Sequence, residues 1–178
     1  PRRFGKSMVA DMLAAYYGSS EDTSALFASL EISQCAGYRD HLNQYDVLKI
    51  NMQDFLSESQ SIEDMLAHLT ACLIRDLKNG FPQIDFSYAK SLVSVMREVF
   101  AQTGRSFVIL IDEWDCLFRE YKQDKDAQKK YLDFLRAWLK DKDYVALAYM
   151  TGILPIKKYG SHSALNMFTE YSMTDPGD

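Results

Sequence analysis

The sequence predicts a three-layer α/β fold, in which helices cover both faces of a parallel β-sheet. Helical segments alternate along the chain with short apolar segments, a pattern typical of strands joined by crossover helices. Residues 107–111, FVILI, are consecutive apolar residues with β-branched members, which suits a strand buried on both faces. Because 47% of the 178 residues are hydrophobic and 13% are aromatic, we expect one globular unit with a packed core.

The N-terminal part of the chain predicts one full helix, two short helices and a strand. The full helix covers residues 6–17 and ends at a Gly-Ser-Ser break. Its apolar residues recur at helical spacing: Met8, Val9, Met12, Leu13 and Tyr16. An Asp-Thr-Ser sequence at residues 22–24 caps a short helix, and a second is expected around residues 38–42. Residues 45–52, YDVLKINM, form a strand because a short apolar run stands between polar turns.

Three further helices and two further strands complete the prediction. The helices cover residues 61–79, 88–102 and 125–140. The first has a Ser-Ile-Glu-Asp start, and the first two are each stopped by a glycine. The strands are the FVILI segment and residues 144–150, YVALAYM, which is followed by Thr-Gly.

Charge and cysteine content exclude several classes of protein. The net charge of -5 gives no basic footprint over the whole domain, so nucleic-acid binding is not indicated, although a local basic patch remains open. Cys35, Cys72 and Cys116 are widely spaced and predict neither a disulfide framework nor a zinc site, which suits a reducing cytoplasm. No segment approaches the roughly 18 apolar residues needed to span a bilayer, and no leader pattern is present.

Gly5-Lys6-Ser7, directly before the first helix, has the form of the end of a phosphate-binding loop. In such a loop, backbone N–H groups surround the phosphates, lysine reaches the terminal phosphates, and serine or threonine holds magnesium. The first glycine position of the G-x-x-x-x-G-K-[ST] pattern falls one residue before Pro1. Alone, the three residues fit an ordinary helix start equally well.

Asp112 and Glu113 follow the buried FVILI strand about 100 residues later. A magnesium-nucleotide site needs a carboxylate at the carboxyl end of a parallel strand, and a neighbouring carboxylate can activate the attacking water. A helix N-cap is the ordinary alternative for such residues. The order of Gly-Lys-Ser, helix, strands and Asp-Glu is more specific than either motif, and it favours the nucleotide site.

Four segments carry a resemblance to a known family. PRRFGKS, LFASLEI, VILIDEWD and YMTGILPIKKYG with the later ALNMF resemble the AAA-ATPase-like family of bacterial proteins, over essentially the whole chain. The resemblance implies a P-loop NTPase core of the additional-strand class that carries a catalytic glutamate. It also implies ATP and Mg²⁺ as ligands, with Walker A on residues 1–7 and Walker B on residues 107–113.

Residue roles follow from matching this sequence to the family's motifs. The loop residues implied to bind the phosphates are Arg3, Phe4, Gly5, Lys6 and Ser7. Ser7 and Asp112 would hold Mg²⁺, and Glu113 would activate the water.

Three further residues near these motifs have less defined roles. Thr151 stands where this class keeps a polar sensor of the γ-phosphate, but an ordinary strand-ending threonine fits equally well. Asp115 is expected to be a helix-start carboxylate rather than a residue near the metal. Trp114 is expected to be buried.

The first residue, Pro1, falls inside the loop motif, and the chain stops in turn-forming residues. We therefore expect residues 1–178 to be a partial domain truncated at both ends, without the N-terminal loop-bearing strand. The resemblance places that strand beside the strand at residues 144–150, whose edge would be unpaired. A parallel sheet of the three remaining strands is expected, and the fragment alone is not expected to hydrolyse ATP.

The resulting prediction is magnesium-dependent ATP hydrolysis used as a conformational switch. The alternative is a nonhydrolysing, nucleotide-gated module that controls a fused or partner nuclease, since many family members carry a C-terminal nuclease-like domain of the PD-(D/E)XK type. A guanine- or nucleoside-kinase-like enzyme is less favoured, because no acidic or aromatic substrate motif accompanies the Gly-Lys-Ser sequence and the Asp-Glu pair. A homo-oligomer is compatible with the sequence, and a membrane association is not expected.

Overall fold

The three apolar segments that the sequence predicts as strands pair into one parallel sheet. The computed structural model describes residues 5–156 and 165–171, and its strands are β1 (Asp46–Asn51), β2 (Phe107–Asp112) and β3 (Val145–Met150). They lie in the order β1-β2-β3, with β2 hydrogen-bonded to both neighbours. The central strand is buried along its whole length, as its continuous apolar sequence requires.

Helices connect the strands and occupy much of the remaining described chain. In order, they are α1 (Lys6–Tyr17), α2 (Ser24–Phe27), a 3₁₀ helix (Glu31–Gln34), α3 (Tyr38–His41), α4 (Met52–Ser57), α5 (Ile62–Gly80), α6 (Leu92–Thr103), α7 (Cys116–Glu120) and α8 (Lys125–Leu139). The helices predicted at residues 6–17, 61–79 and 125–140 are confirmed to within one residue at each end.

The helix predicted at residues 88–102 begins later, at Leu92, and this part of the prediction is wrong. Ser91 and Ser94 form a capping box, in which each side-chain oxygen accepts a hydrogen bond from the other residue's backbone N–H, at 3.2 and 2.8 Å. The capping box satisfies N–H groups that have no partner within the helix, and so it fixes the helix start. Tyr88 therefore lies outside α6, and its side chain is exposed.

Two short helices, α4 and α7, have no counterpart in the prediction. The first replaces the end of the predicted strand, because the side-chain oxygen of Asn51 accepts the backbone N–H of Gln53 at 3.0 Å and caps a helix that begins at Met52. The second covers five residues directly after the carboxyl end of β2. Both helices are too short to display an apolar period.

The side chains of β2 contribute to both faces of the sheet. Phe107, Ile109 and Ile111 join the main hydrophobic core with apolar residues of α5, α6 and α8. Val108 and Leu110 alternate with them and are also fully buried, which places them on the opposite face. There α1 contacts both β1 and β2. The predicted three layers of helix, sheet and helix are therefore present.

Helix α1 lies against the sheet through a small residue, with its larger side chains directed elsewhere. Ala10 is 1% exposed, whereas Met8 is 65% exposed and Met12 is 46% exposed. Tyr16 packs with Phe27 and Tyr38 in a second, smaller core. The alanine permits close approach of the helix backbone to the strands, which sets the position of the first residues of α1.

Within residues 5–156 and 165–171, no helix combines the length and the apolar composition needed to cross a membrane.

The helical layer beside β2 depends on close packing around Leu69 of α5, which is 0% exposed. We expect Leu69→Ala to lower the free energy of unfolding by about 2–5 kcal/mol, because it removes buried methyl groups and leaves a cavity. Leu26→Ala, at a position 65% exposed, should change it by less than about 0.5 kcal/mol. Urea denaturation followed by circular dichroism measures both, and equal effects would contradict the assigned core.

Candidate active site

The carboxyl ends of β2 and β3 and the start of α1 meet at one edge of the sheet. Parallel pairing aligns these strand ends, and Thr151 extends β3 by donating its N–H to the carbonyl of Ile111 at 2.8 Å. Trp114 in turn donates its N–H to the carbonyl of Thr151 at 3.0 Å. These bonds fix the segment after β2 against the segment after β3, at the edge where α/β proteins bind ligands.

The carboxylate of Asp112 is the centre of the hydrogen bonds at this edge. One oxygen, Oδ2, accepts the hydroxyl of Ser7, and the other, Oδ1, accepts the hydroxyl of Thr151. Oδ1 also accepts the backbone N–H of Glu113 at 2.9 Å. Asp112 is 6% exposed, so a buried charge is compensated by three donors from separate parts of the chain.

These donors also control the ionisation of Asp112. Burial raises the pKa of its carboxyl, but the hydrogen bonds from Ser7 and Thr151 lower it, together with the backbone N–H of Glu113 and the charge of Lys6. The net result is a pKa below the ordinary value for aspartate. Asp112 is therefore an anion at neutral pH.

Lys6 and Gly5 form the described part of the predicted phosphate loop. Gly5 stands at the N-cap of α1 with φ of 75°, a left-handed conformation that glycine adopts without steric cost. The ammonium of Lys6 donates to the carbonyl of Gly152 at 3.1 Å. In the part of the chain that the structure describes, residues 5–156 and 165–171, no side chain caps the N-terminus of α1. The helix start therefore presents backbone N–H groups and a lysine beside Asp112, which suits an anion.

Glu113 has an unusual backbone and an ion-pair partner that the sequence did not indicate. Its φ is 55°, which is uncommon for a residue with a side chain. One carboxylate oxygen, Oε2, accepts a hydrogen bond from the Arg119 guanidinium at 2.5 Å. The same guanidinium nitrogen donates to the side-chain oxygen of Gln53 at 3.2 Å. Arg119 thus links Glu113 to α4.

Asp115 stands at the start of α7, as expected, but its side chain binds a different part of the chain. It occupies the N-cap position of α7, but its side chain makes no capping hydrogen bond. Instead, Oδ2 accepts the backbone N–H groups of Ile153 and Leu154 at 3.0 and 2.8 Å. Asp115 is 0% exposed. This buried carboxylate therefore ties the segment after β3 to the segment after β2.

Trp114 is buried, as predicted, and belongs to the packing beneath this edge. It is 2% exposed, and its carbonyl accepts the hydroxyl of Tyr131 in α8 at 2.7 Å. Its indole leaves little space beside Gly152, where an added Cβ would lie 2.6 Å from two ring atoms. The ring therefore supports the shape of the loop that contains Gly152.

The structure brings together most of the residues that the sequence predicts for this site. Lys6, Ser7, Asp112 and Thr151 are joined directly or through Gly152, and Glu113 follows Asp112 in the chain. Two of the predicted phosphate-binding residues, Arg3 and Phe4, lie outside the described residues. Gln53 and Arg119 were missed, because no recognisable spacing joins them to the motifs.

A parallel sheet with a Lys-Ser helix start beside the carboxyl end of its central strand is consistent with a P-loop-like α/β fold. The chain belongs to the AAA-ATPase-like family, because the family profile described as "Predicted AAA-ATPase" matches residues 1–161. The family assignment made from the sequence motifs is thereby confirmed, and it supports an ATPase type of function in general terms.

A similar protein is described as "Uncharacterized protein in vnfD 5'region" of Azotobacter chroococcum mcd 1, with 26% identity over 178 residues. The match covers 97% of this chain and 33% of the relative, so the chain spans about a third of that protein's length. No solved structure matches the chain.

A substitution at Gly152 tests how closely the loop after β2 packs against the loop after β3. We expect Gly152→Ala to lower the free energy of unfolding by roughly 1–3 kcal/mol, because its Cβ would meet the Trp114 ring and would lie 2.9 Å from Asp115 Oδ1. Gly80→Ala is the matched control, since nothing lies within 4 Å of a Cβ there. Chemical denaturation of both variants measures the difference, and wild-type stability for Gly152→Ala would refute the close contact.

Proposed function

We propose that this chain is the nucleotide-binding core of a magnesium-dependent ATPase whose hydrolysis of ATP serves as a conformational switch. The observation that carries the proposal is the carboxylate of Asp112, which is shared by the hydroxyls of Ser7 and Thr151. Through these bonds, the Asp112 carboxylate at the end of β2 joins Ser7, which follows the loop lysine, to Thr151 at the end of β3. Family membership supplies the general ATPase character, and this convergence supports the residue roles.

Lys6 and the start of α1 are proposed to bind the phosphates. The ammonium of Lys6 donates to a backbone carbonyl, a partner that a phosphate oxygen can replace with a charge-assisted hydrogen bond. The N-terminus of α1 adds backbone N–H donors and the positive end of the helix dipole. The predicted contributions of Arg3 and Phe4 to the same loop remain part of the proposal.

Ser7 and Asp112 are proposed to hold Mg²⁺, and their chemistry fits that ion. A hydroxyl and an ionised carboxylate are oxygen donors, and magnesium commonly takes one or two protein ligands together with phosphate oxygens and water. The described residues contain no group of three or more His, Cys, Asp or Glu side chains that could form an all-protein cage. When bound, Mg²⁺ would neutralise charge on the phosphates.

Glu113 is proposed as the general base, and Thr151 as the polar group that contacts the γ-phosphate. Glu113 directly follows the magnesium-binding aspartate, so its carboxylate can lie near a water beside the terminal phosphate. Thr151 is 4% exposed and already directs its hydroxyl at Asp112. A hydroxyl in that position can donate to a phosphate oxygen once its present acceptor binds a cation.

The proposed switch depends on the loops that follow β2 and β3. Asp115 binds the backbone of Ile153 and Leu154, next to the Gly152 carbonyl that accepts Lys6. A change in the partner of Lys6 would therefore reach the segment before α7. The activity and partners of the intact protein, including a C-terminal nuclease-like domain, are extensions of this proposal, because the chain covers only a third of its relative.

One observation favours the alternative of a nonhydrolysing, nucleotide-gated module that controls a nuclease. The carboxylate of Glu113 is engaged by Arg119 at 2.5 Å. If that pair is permanent, the base is withheld and nucleotide binding alone would carry the signal. ATP-dependent partner binding without turnover would support this second function.

Glu113→Gln tests the general base in the intact protein. We expect ATP to bind with unchanged affinity while turnover falls by about 100-fold or more, because the amide cannot accept the proton from water. Phosphate release measures turnover, and calorimetric titration measures binding. Glu63→Gln, on an exposed face of α5, should behave like the wild type. Full turnover in Glu113→Gln would remove Glu113 from the mechanism.

Lys6→Ala tests the phosphate-binding role. We expect the Kd for ATP to rise roughly 10- to 100-fold, because a charged hydrogen-bond donor to the phosphates is lost. Lys129→Ala is a matched control, since Lys129 is 75% exposed and pairs with Asp133 on α8. Calorimetric titration compares the two variants, and equal affinity for both would count against a phosphate loop at Lys6.

A further inference from the structure

We propose that Arg119 is a positioning residue that holds Glu113 away from catalysis and releases it when the guanidinium moves to Asp115. This inference rests on the proposed function, because it assigns control to the same general base. It adds a residue that neither the family motifs nor the proposed ligand contacts include. The inference is based on the arrangement of four side chains, those of Glu113, Arg119, Gln53 and Asp115.

The Arg119–Glu113 pair is partly shielded from water. The two side chains are 22% and 29% exposed, and the nitrogen–oxygen distance is 2.5 Å. Ion pairs on open surfaces contribute little, whereas shielding from solvent strengthens the attraction. Gln53 supports the same guanidinium nitrogen with its side-chain oxygen at 3.2 Å. The pair therefore has a defined geometry, supported from α4.

An arginine bound to this carboxylate interferes with general-base catalysis. A base must accept a hydrogen bond from the attacking water at about 2.6–3.2 Å. Arg119 occupies Oε2 of Glu113, and a guanidinium only donates, so it can neither accept the proton nor relay it. While the pair persists, the carboxylate is directed towards α7 and away from its proposed task.

Asp115 offers Arg119 a second acceptor within a short distance. The Arg119 Nε lies 3.9 Å from Asp115 Oδ2, one turn earlier at the start of α7. Among the residues that the structure describes, both Arg119 Nε and Asp115 Oδ1 are buried without a hydrogen-bond partner. Unpaired buried polar groups are costly, and here a donor and an acceptor are unpaired together. Movement of the guanidinium towards the Asp115 carboxylate would give Nε an acceptor and draw the guanidinium away from Glu113.

The nucleotide site is connected to this second acceptor. Asp115 Oδ2 accepts the N–H groups of Ile153 and Leu154, and the preceding Gly152 carbonyl accepts Lys6. When Lys6 turns to a phosphate, the loop after β3 loses one of its restraints. The loop can then shift relative to Asp115, which alters the acceptor available to Arg119. ATP binding would thus favour release of the base.

The test measures ATP turnover and ATP affinity in the intact protein for Arg119→Ala and Gln53→Ala. We expect Arg119→Ala to raise kcat roughly three- to tenfold without changing KM, the range expected for loss of a partly shielded ion pair. Gln53→Ala should raise kcat less, because it removes only the support of the guanidinium. Arg119→Lys should restore a rate near that of the wild type. Arg75→Ala, which removes an exposed arginine of α5, should have no effect.

A double variant separates this inference from the proposed function. Arg119→Ala combined with Glu113→Gln should show the turnover of Glu113→Gln alone, because releasing a glutamine provides no base. A kcat that is unchanged or lower in folded Arg119→Ala and in Gln53→Ala overturns the proposal that Arg119 restrains Glu113. The ATPase proposal still stands in that case if Glu113→Gln is inactive. If Arg119→Ala does not fold, Gln53→Ala decides the same question. ATP binding with no turnover in any variant overturns both.

Discussion

The shared carboxylate of Asp112 is the interaction on which this edge of the molecule depends. Ser7 and Thr151 donate to its two oxygens from positions 105 residues before it and 39 residues after it. An aspartate that is 6% exposed is tolerable only with such compensation. The start of α1 and the end of β3 are therefore fixed relative to β2 by one buried charge.

The packing of the sheet places that charge at the carboxyl end of the strands, the edge at which α/β proteins bind ligands. A fully buried central strand ends at Asp112, and parallel pairing brings the residue after β3 to the same edge. The small side chain of Ala10 lets α1 lie close to the strands, so that Ser7 reaches Oδ2. Burial of apolar side chains thus holds the sheet and helices together, and the hydrogen bonds to Asp112 fix how α1, β2 and β3 are aligned.

The strongest features of the sequence predicted most of this arrangement, and the failures have physical causes. Continuous apolar runs identified the strands, and the motif order predicted that Ser7 and Asp112 would meet. Arg119 could not be predicted, because it lies in a five-residue helix and its partner Gln53 is 66 residues away. Asp115 stands at a helix start as predicted, but its contacts with the segment after β3 were missed because backbone N–H groups leave no trace in a sequence. Helical spacing in α1 likewise did not show that Ala10 would face the sheet.

Two buried carboxylates, those of Asp112 and Asp115, lie on either side of Glu113 in the sequence and differ in how fully they are hydrogen-bonded. Asp112 binds three donors, whereas one oxygen of Asp115 has no hydrogen-bond partner among the described residues. A satisfied network holds one geometry, while an unsatisfied group stores free energy that another arrangement can release. Asp112 is therefore held in one arrangement, whereas Asp115, which binds Ile153 and Leu154 through Oδ2, keeps Oδ1 open to a further donor. Glu113 lies between them in sequence, and its φ of 55° is a backbone conformation that residues with a side chain rarely adopt.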